Sequence, residues 1–228
     1  MTRAKVGADL LRSIPLFNNV SDAHFANLLA AASLCQFATR TVLFNEGDSA
    51  SNLYVLLHGA AELYSEQDER RVTIAVIRTV RPLVLYAVLA DYSPLSARSL
   101  EQSDMVAVPA RMVADLFAYD QGFAAAAIAE LATECQELVE DLKSQRLRTT
   151  MERVAHWMLR SDRRNGETGQ FVIPFDKRVL ASYLGMAPEH LSRSFSALAA
   201  AGVVVQGRSI TLTDRVALSE AAGLELPE

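Results

Sequence analysis

The pattern of apolar and polar positions divides the chain into parts with different periods. Residues 9–34 carry apolar side chains at spacings of three and four with a break at Ser21-Asp22, which predicts helices. From Phe37 to about Val108 short apolar runs alternate with turn residues, which predicts β-strands. The predicted strands are Thr41–Phe44, Leu53–Leu57, Ala60–Tyr64, Val72–Ile77, Leu83–Leu89 and Met105–Val108. Short, closely spaced strands of this kind are typical of an antiparallel barrel or roll.

A third pattern runs from about Gln121 to Arg148, where no residue breaks a helix. Apolar residues follow each other here at spacings of 3, 4, 3 and 4, as they do at the contact positions of a coiled coil. This seam consists of Ile128, Leu131, Cys135, Leu138 and Leu142. A helix of roughly 28 residues is about 42 Å long, which is more than one small domain covers. Either the helix packs along one stripe on its own roll, or it forms a parallel dimer, which is the interpretation we favour.

Residues 176–201 carry the pattern of two short helices around a tight turn. Gly185 can take a positive φ and end the first helix. Pro188 suits the first position of the second helix, where no backbone donor is needed. The segment therefore has a helix-turn-helix signature.

The second helix of this pair has an outer, polar face once its apolar residues are directed inward. This face consists of Pro188, Glu189, Ser192, Arg193 and Ser196. In a helix-turn-helix these positions enter the major groove of DNA. Glu189 can accept a hydrogen bond from a cytosine amino group, Arg193 can bond guanine O6 and N7, and Ser192 can bind a base or a phosphate.

Two further β-type runs follow the helix pair directly. Val203–Val205 and Ile210–Leu212 flank the turn residues 206–209. A hairpin in this place is the wing of a winged helix-turn-helix, and Arg208 in its turn is a candidate phosphate contact. The alternative interpretation is a helical hairpin and a β-hairpin whose polar tips are merely solvated.

The combined patterns predict an α+β fold in three parts. Residues 1–119 form an antiparallel β-roll with helices at its N-terminal side, residues 120–148 form the dimerisation helix, and residues 149–228 form the winged helix-turn-helix domain.

The distribution of charge supports a DNA-binding role for the C-terminal part. The chain has a net charge of -5, and residues 1–150 hold 13 Lys and Arg against 18 Asp and Glu. Residues 151–228 hold 9 of each, but three of these acids lie in the last nine positions, so residues 151–219 carry a net charge of +3. Such a bias is typical of a basic binding face, although a mixed solvated surface is an alternative.

Several classes of protein are excluded by composition. No apolar run reaches the roughly 18 residues that a membrane span needs, so we expect a cytoplasmic protein without a membrane partner. Cys35 and Cys135 lie a hundred residues apart and the four histidines fall at no ligand spacing, so we expect neither a disulfide framework nor a metal site. No phosphate loop or nucleophile–base motif is found, so we expect no catalytic residues and no enzyme. A structural dimer that does not bind DNA is the alternative from a different class.

Two segments resemble the cyclic-AMP receptor and fumarate–nitrate regulator (CRP/FNR) family of bacterial transcription factors. The segment FNEGDSASNLYVLLHGAAELY at 44–64 matches the roll of that family at Phe44, Gly47, Asp48, Leu53, Tyr54 and Gly59. The segment PEHLSR at 188–193 looks like the E-x-x-S-R recognition helix of the FNR-like branch.

The resemblance implies a fold and a function. The fold is a jelly roll like that of cyclic-nucleotide-binding domains, followed by a dimerisation helix and the winged helix-turn-helix. The function is regulation of transcription by a homodimer that binds double-stranded DNA at TTGAT-type half-sites in inverted pairs, with RNA polymerase as a partner. Glu189, Ser192 and Arg193 would then read the bases.

The sequence departs from the nucleotide-binding members of this family. These members hold ribose and cyclic phosphate with a Gly-Glu pair and a following Arg-Ser. The corresponding stretch, RPLVLYAVLADYSPLSARSL at 81–100, has no Gly and no Glu, and Ser93-Pro94 stands near the expected Arg-Ser. A phosphate would be poorly held here, so we do not expect cyclic AMP as the effector. Cys35 alone cannot hold the iron–sulfur cluster of the oxygen sensors.

Three possibilities are left for the molecule that controls the activity of the protein. The effector is a small apolar or aromatic compound, or it is haem in a regulator that senses NO, CO or O2, or the protein has no effector. For haem the candidates are His24 and His58, with no axial ligand assigned. For an aromatic acid, Arg98 would bind the carboxylate. The candidate pocket residues are Tyr54, Tyr86, Tyr92, Arg98, Leu138 and Val139.

Overall fold

The structure, a computed structural model, describes residues 2–68, 70–90, 92–173 and 175–224. The contacts between residues divide the chain into two compact units, Met1–Gln136 and Glu137–Glu228. The boundary falls inside the long helix, which therefore contributes to both units.

The first unit contains the antiparallel roll and the short helices around it. Its helices are α1 (Ala8–Ser13), α2 (Asp22–Ala31), α3 (Ala87–Ala90), α4 (Ala110–Tyr119) and the first part of α5 (Gln121–Leu147). Its strands are β1 (Thr2–Lys5), β2 (Ser33–Phe37), β3 (Val42–Phe44), β4 (Asn52–His58), β5 (Ala61–Gln67), β6 (Arg70–Ile77), β7 (Arg81–Leu83), β8 (Ser96–Ser99) and β9 (Ser103–Pro109). They form one sheet in the order β1-β2-β9-β4-β7 and another in the order β3-β8-β5-β6, with antiparallel neighbours throughout.

Two apolar clusters hold this unit together. One joins the helices to the outer face of the first sheet and includes Phe17, Leu28 and Phe123, all buried. The other lies inside the roll and includes Cys35 and Met105, which are also buried. Burial of Cys35 among apolar side chains fits a structural role for this thiol.

The first unit differs from the sequence prediction in several elements. The predicted strand Leu83–Leu89 ends at Leu83, and the next apolar residues form α3, because a short apolar run has no period that distinguishes a strand from a helix. The predicted helical stretch ends at Ala31, and residues 33–37 form β2 instead. The strands β1 and β8 were not predicted, since both are short and neither shows a clear apolar alternation.

A buried carboxylate fixes the start of α5. Asp120 accepts hydrogen bonds from the backbone N–H of Phe123 (2.8 Å) and from the N–H and hydroxyl of Ser21 (3.0 and 2.6 Å). His24 Nδ1 lies 2.8 Å from the same carboxylate. Burial raises the pKa of Asp120, but these hydrogen bonds lower it more, so the pKa lies well below its usual value. The ionised side chain thus joins the segment before α2 to the first turn of α5.

The second unit contains the second part of α5 and the predicted winged helix-turn-helix. Its other elements are α6 (Thr150–Arg164), β10 (Gln170–Val172), α7 (Lys177–Tyr183), α8 (Pro188–Ala197), a 3-10 turn (Leu198–Ala201), β11 (Val203–Gln206), β12 (Ser209–Leu212) and α9 (Arg215–Ala221). The wing is a three-stranded antiparallel sheet in the order β10-β12-β11, one strand larger than the hairpin that the sequence predicts. The helix α6 starts with a capping box between Thr149 and Glu152.

Membrane spans and metal centres are two features that composition had argued against. Within the described residues, no helix combines the length and the apolar character that crossing a bilayer requires. The same residues contain no group of three or more His, Cys, Asp or Glu side chains placed to hold a metal ion.

Candidate nucleic-acid interface and ligand cavity

The turn between α7 and α8 has the geometry that the sequence predicts. Gly185 has a φ of 65°, in the left-handed region that favours glycine. The N–H of Gly185 donates to Ser182 O (3.0 Å) and the N–H of Met186 donates to Ala181 O (2.9 Å), which is the Schellman pattern at a helix end. Pro188 occupies the first turn of α8, as predicted. The turn therefore holds α7 and α8 as a helix-turn-helix pair.

The helix α8 presents the predicted polar face to solvent. Its apolar residues Leu191 and Phe195, and Leu198 directly after it, are buried. The residues of the polar face, Pro188, Glu189, Ser192, Arg193 and Ser196, are all exposed. This face is consequently open to an external partner along its whole length.

The two charged residues of this face are available for binding. Glu189 and Arg193 are four residues apart and so lie side by side on the helix surface. Within the part of the chain that the structure describes, neither side chain forms a hydrogen bond or an ion pair. A carboxylate and a guanidinium thus stand together without internal partners, ready to accept from and donate to the edges of bases.

The hydroxyls of the same face are used within the helix. Ser192 Oγ donates to Pro188 O (3.1 Å), and Ser196 Oγ donates to Ser192 O (3.2 Å). These bonds to the preceding turn leave the hydroxyl lone pairs free as acceptors. In this rotamer the two serines can accept hydrogen bonds, whereas donation to a base or a phosphate requires the hydroxyl to turn.

The wing places a cation at its tip. Gly207 and Arg208 form a two-residue loop between β11 and β12, with Gly207 at a φ of 60°. Arg208 is exposed, and its Nε donates to Ile173 O at 2.6 Å. This bond holds the guanidinium beside β10, so that one of its donors is already occupied.

Two cations near α8 were missed by the sequence analysis. Lys177 and Arg178 form the first turn of α7, directly after the capping residue Asp176. The Lys177 ammonium lies 5.3 Å from the centre of the Phe195 ring, which places it beside the recognition helix α8. The first helix of a helix-turn-helix crosses the DNA backbone. The position of Lys177 and Arg178 at the start of that helix could therefore have identified them in the sequence as candidate phosphate contacts.

The predicted seam of α5 is largely uncovered in the single chain. Ile128, Leu138 and Leu142 are 65%, 46% and 51% exposed, and Cys135 is exposed as well. Leu131 is partly buried and packs on the apolar cluster of its own roll. The seam thus forms an apolar stripe beside the face with which the helix packs on its own chain.

The roll has a cavity of about 360 Å³ that is partly open to solvent. It is lined by Leu43, Phe44, Ala50, Tyr54, Leu83, Val84, Ala87 and Val88 on the apolar side and by Asp48, Ser49, Ser51, Asn52 and Ser93 on the polar side. Asp48 is the only charged residue among the described residues that line it. Val84 has a φ of 50°, which a β-branched residue rarely adopts, and such strain is concentrated at ligand sites in proteins.

The structure does not bring all predicted pocket residues to this cavity. Tyr54 lines it, and burial raises the pKa of its phenol, so the hydroxyl stays protonated. Arg98 Nε donates to the buried carboxylate of Glu62 and is not part of the lining. Tyr86 and Tyr92 are exposed and lie outside the lining, while Leu138 and Val139 are exposed residues of α5 in the second unit. The cavity therefore offers no arginine for an effector carboxylate.

Two family models match separate parts of the chain. The model of the cyclic nucleotide-binding domain matches residues 34–120, which are the roll and α4. The model of the Crp-like helix-turn-helix domain matches residues 152–221, which run from α6 to α9. The two models thus match one stretch in each of the two units.

Curated relatives match the chain in sequence over most of their length. The chain is 26% identical over 188 residues to the "Anaerobic regulatory protein" of Pasteurella multocida, covering 80% of this chain and 69% of that protein. It is 23% identical over 187 residues to the "Transcriptional activator protein FnrA" of Stutzerimonas stutzeri, covering 79% and 77%.

Solved structures share the fold. FixK2 from Bradyrhizobium japonicum superposes with a TM-score of 0.75 at 23% identity, covering 86% of this chain and 98% of that one. A CRP-family transcriptional regulator from Thermus thermophilus gives a TM-score of 0.68 at 16% identity, covering 85% and 98%. The predicted α+β architecture of roll, long helix and helix-turn-helix is thereby confirmed.

Proposed function

The chain belongs to the CRP/FNR family of transcription regulators, which are not enzymes, and we propose that it is a homodimer that binds an inverted DNA repeat with TTGAT-like half-sites under the control of a small non-nucleotide effector. RNA polymerase is the further partner that family membership suggests. The observation that carries the DNA-binding part is that Glu189 and Arg193 are exposed on the outer face of α8 and have no side-chain partner among the residues that the structure describes.

The chemistry of this face supports the half-site. Arg193 can form a bidentate pair with guanine O6 and N7, and Glu189 can accept from a cytosine amino group. Because both side chains lie side by side on the helix surface, they can reach the guanine and the cytosine of one G·C pair in the major groove. A half-site with a G·C pair flanked by A·T pairs, such as TTGAT, offers these groups.

Phosphate contacts on both sides of α8 would fix its register on the duplex. Lys177 and Arg178 stand at the start of α7, and Arg208 stands at the tip of the wing. Cations in these places contact the backbone without reading sequence and make binding depend on salt.

Binding to a synthetic duplex tests the proposal. We expect the protein to bind an inverted TTGAT repeat and to keep it bound in the presence of excess random duplex. We also expect its affinity to fall steeply as salt rises from 50 to 200 mM, because contacts to phosphates release counterions. Fluorescence anisotropy with labelled duplexes measures all three. Equal affinity for the repeat and for random duplex would refute sequence-specific binding, and no binding at either salt concentration would support the structural dimer.

The seam of α5 supports the homodimer. An apolar stripe of this length, exposed in the single chain and carrying contact positions at spacings of three and four, is suited to a second copy of the same helix. A two-fold dimer would also present two α8 helices to the two halves of an inverted repeat.

The cavity of the roll is the proposed effector site. Its volume is within the range of small-molecule sites, and its lining is about equally polar and apolar, with Asp48, Asn52, Tyr54 and three serines among the described lining residues. The Asp48 carboxylate repels anions and no described lining residue supplies a cation, so a cyclic phosphate or a carboxylic acid fits poorly. The cavity favours a neutral, apolar or aromatic effector with one or two polar groups.

The residues of the cavity do not fit haem. His24 lies against Asp120 and Ser21, and His58 is exposed at the end of β4; neither lines the cavity. Cys35 is buried in the same apolar cluster as Tyr54 but is not among the described lining residues, so the Tyr54 phenol is the candidate oxygen ligand of the lining. Haem therefore stays the weaker alternative to a neutral organic effector.

Cyclic nucleotides give a direct test of the cavity. We expect cyclic AMP or cyclic GMP at about 1 mM to leave the Tm unchanged, because a ligand stabilises the folded protein only if it binds it. Differential scanning fluorimetry, with the anisotropy assay as a second readout, measures the response. A saturable rise of several degrees would contradict the assignment.

The protein as purified offers the companion measurement. Native mass spectrometry that finds a bound mass without a Soret band in the visible spectrum would support an organic effector. A Soret band would support haem instead.

A further inference from the structure

A cluster of polar side chains joins the second part of α5 to the helix-turn-helix within the second unit. Arg164 Nη2 donates to Glu137 Oε1 at 3.0 Å, one turn before the centre of the cluster. At the centre, Asp141 Oδ1 accepts from Arg160 Nη1 and Asp141 Oδ2 accepts from the Tyr183 hydroxyl, both at 2.8 Å. We call Asp141, Arg160 and Tyr183 the Asp141 cluster.

The protonation states in this cluster are set by burial. Burial and the adjacent Asp141 carboxylate raise the pKa of Tyr183, so its hydroxyl remains a donor at neutral pH. Burial, together with Arg148 and Arg160, lowers the pKa of the neighbouring His156 to about 4, so this imidazole is neutral. The positive charge that faces Asp141 therefore comes from arginine, and each oxygen of the carboxylate accepts one hydrogen bond, from Arg160 and from Tyr183.

The position of Tyr183 gives this contact its significance. Tyr183 is the last residue of α7, and two residues later Gly185 turns the chain toward α8. Arg153 forms a second link to the end of α7. Its Nε donates to Leu184 O and its Nη1 donates to Arg148 O, both at 3.0 Å. Two helix ends, those of α5 and α7, are thus held by one guanidinium.

The same turns of α5 carry the apolar seam. Leu142 follows Asp141 directly and Leu138 precedes it by three residues, so the seam and the Asp141 cluster lie on adjoining faces of one helical turn. A partner helix that packs on Leu138 and Leu142 therefore acts on a segment whose other face is bonded to the helix-turn-helix.

We propose that Asp141 and Tyr183 are positioning residues that set the distance and angle between the two recognition helices of the dimer, and thereby the half-site spacing that the protein accepts. This inference rests on the proposed dimer on an inverted repeat. Neither residue belongs to the polar face of α8, so both act on DNA binding through the placement of that helix.

Duplexes that differ only in spacing test the inference. The probes are the inverted TTGAT repeat with half-sites one DNA turn apart, the same repeat with one base pair inserted or deleted at its centre, and a duplex with a single half-site. One base pair shifts a half-site by about 3.4 Å along the axis and rotates it around the duplex, so the parent protein should bind the reference repeat at least about tenfold more tightly than the altered repeats.

Tyr183→Phe removes one hydroxyl and leaves the ring in place. We expect the ratio of the Kd for an altered repeat to the Kd for the reference repeat to fall by about tenfold, because one hydrogen bond to a charged group is lost. The affinity for the single half-site should be unchanged. Asp141→Asn, which keeps an acceptor for Tyr183 but not the charge opposite Arg160, should lower the same ratio. Tyr119→Phe is the matched control, since Tyr119 is 76% exposed and outside the second unit.

The outcomes separate the inference from the function on which it rests. A Tyr183→Phe protein with the parent's spacing ratio would overturn the inference, as would a parent protein that binds DNA without any spacing preference. A parent that binds neither the repeat nor the half-site would overturn the proposed function as well. Sedimentation and thermal melting of each variant show whether its dimer and its fold are intact.

Discussion

Leu138→Asp should convert the protein to a monomer at micromolar concentration and abolish its binding to the inverted repeat. The two-fold axis of a parallel dimer would place both introduced carboxylates in the apolar seam, where an unpaired buried charge costs several kcal/mol. An expected loss of about 4 kcal/mol or more weakens the dimer roughly a thousandfold or more. Leu138 is 46% exposed in the single chain. The fold of each monomer should therefore survive the substitution.

The same helix supplies the control. Leu147→Asp introduces an identical charge at a residue that is 81% exposed and outside the seam, so this variant should remain a dimer. Sedimentation velocity compares the two proteins, and circular dichroism checks that both keep their helices and strands. A Leu138→Asp protein that still sediments as a dimer would place the interface elsewhere on the chain.

Arg193→Ala should weaken binding to the matched repeat and relax its sequence preference. Removing a bidentate contact to guanine costs roughly 1–3 kcal/mol of discrimination at one base pair of each half-site. The substitution leaves the fold intact, because Arg193 is exposed and has no internal side-chain partner among the described residues. Competition between duplexes that differ at the guanine position measures the loss.

A second arginine provides the comparison for this experiment. Arg208 lies at the tip of the wing, where a cation reaches phosphate and not base edges. Arg208→Ala should therefore lower affinity for all sequences alike and reduce the slope of log K against log salt by about one. If Arg193→Ala instead showed this uniform pattern and kept the parent's preference, α8 would not be the base-reading helix.

The sequence was most informative where local chemistry decides the structure. The positive φ of Gly185, the proline at the start of α8 and the wing hairpin were all predicted from residue types with narrow backbone preferences. The long helix was equally clear, because its apolar spacing persists over more than two heptads.

The cavity shows what local patterns cannot predict. The residues of its wall come from β3, the loop before β4, β4, β7 and α3, and their meeting depends on the closure of the roll. The sequence suggested Arg98 as the partner of an effector carboxylate, but the pairing of β5 with β8 sets it opposite the buried Glu62. Likewise, the Asp141 cluster joins residues up to 42 positions apart, and neither Asp141 nor Tyr183 belongs to a recognisable motif.

The length of α5 has a consequence for the amount of motion that regulation requires. Its 27 residues make a rod of about 40 Å. Tilting such a rod by about 10° about its first turn carries its last turn through about 7 Å, which is the rise of two base pairs. Under the proposed control by an effector, a small tilt of this helix would therefore be enough to shift a recognition helix by two base pairs along an inverted repeat.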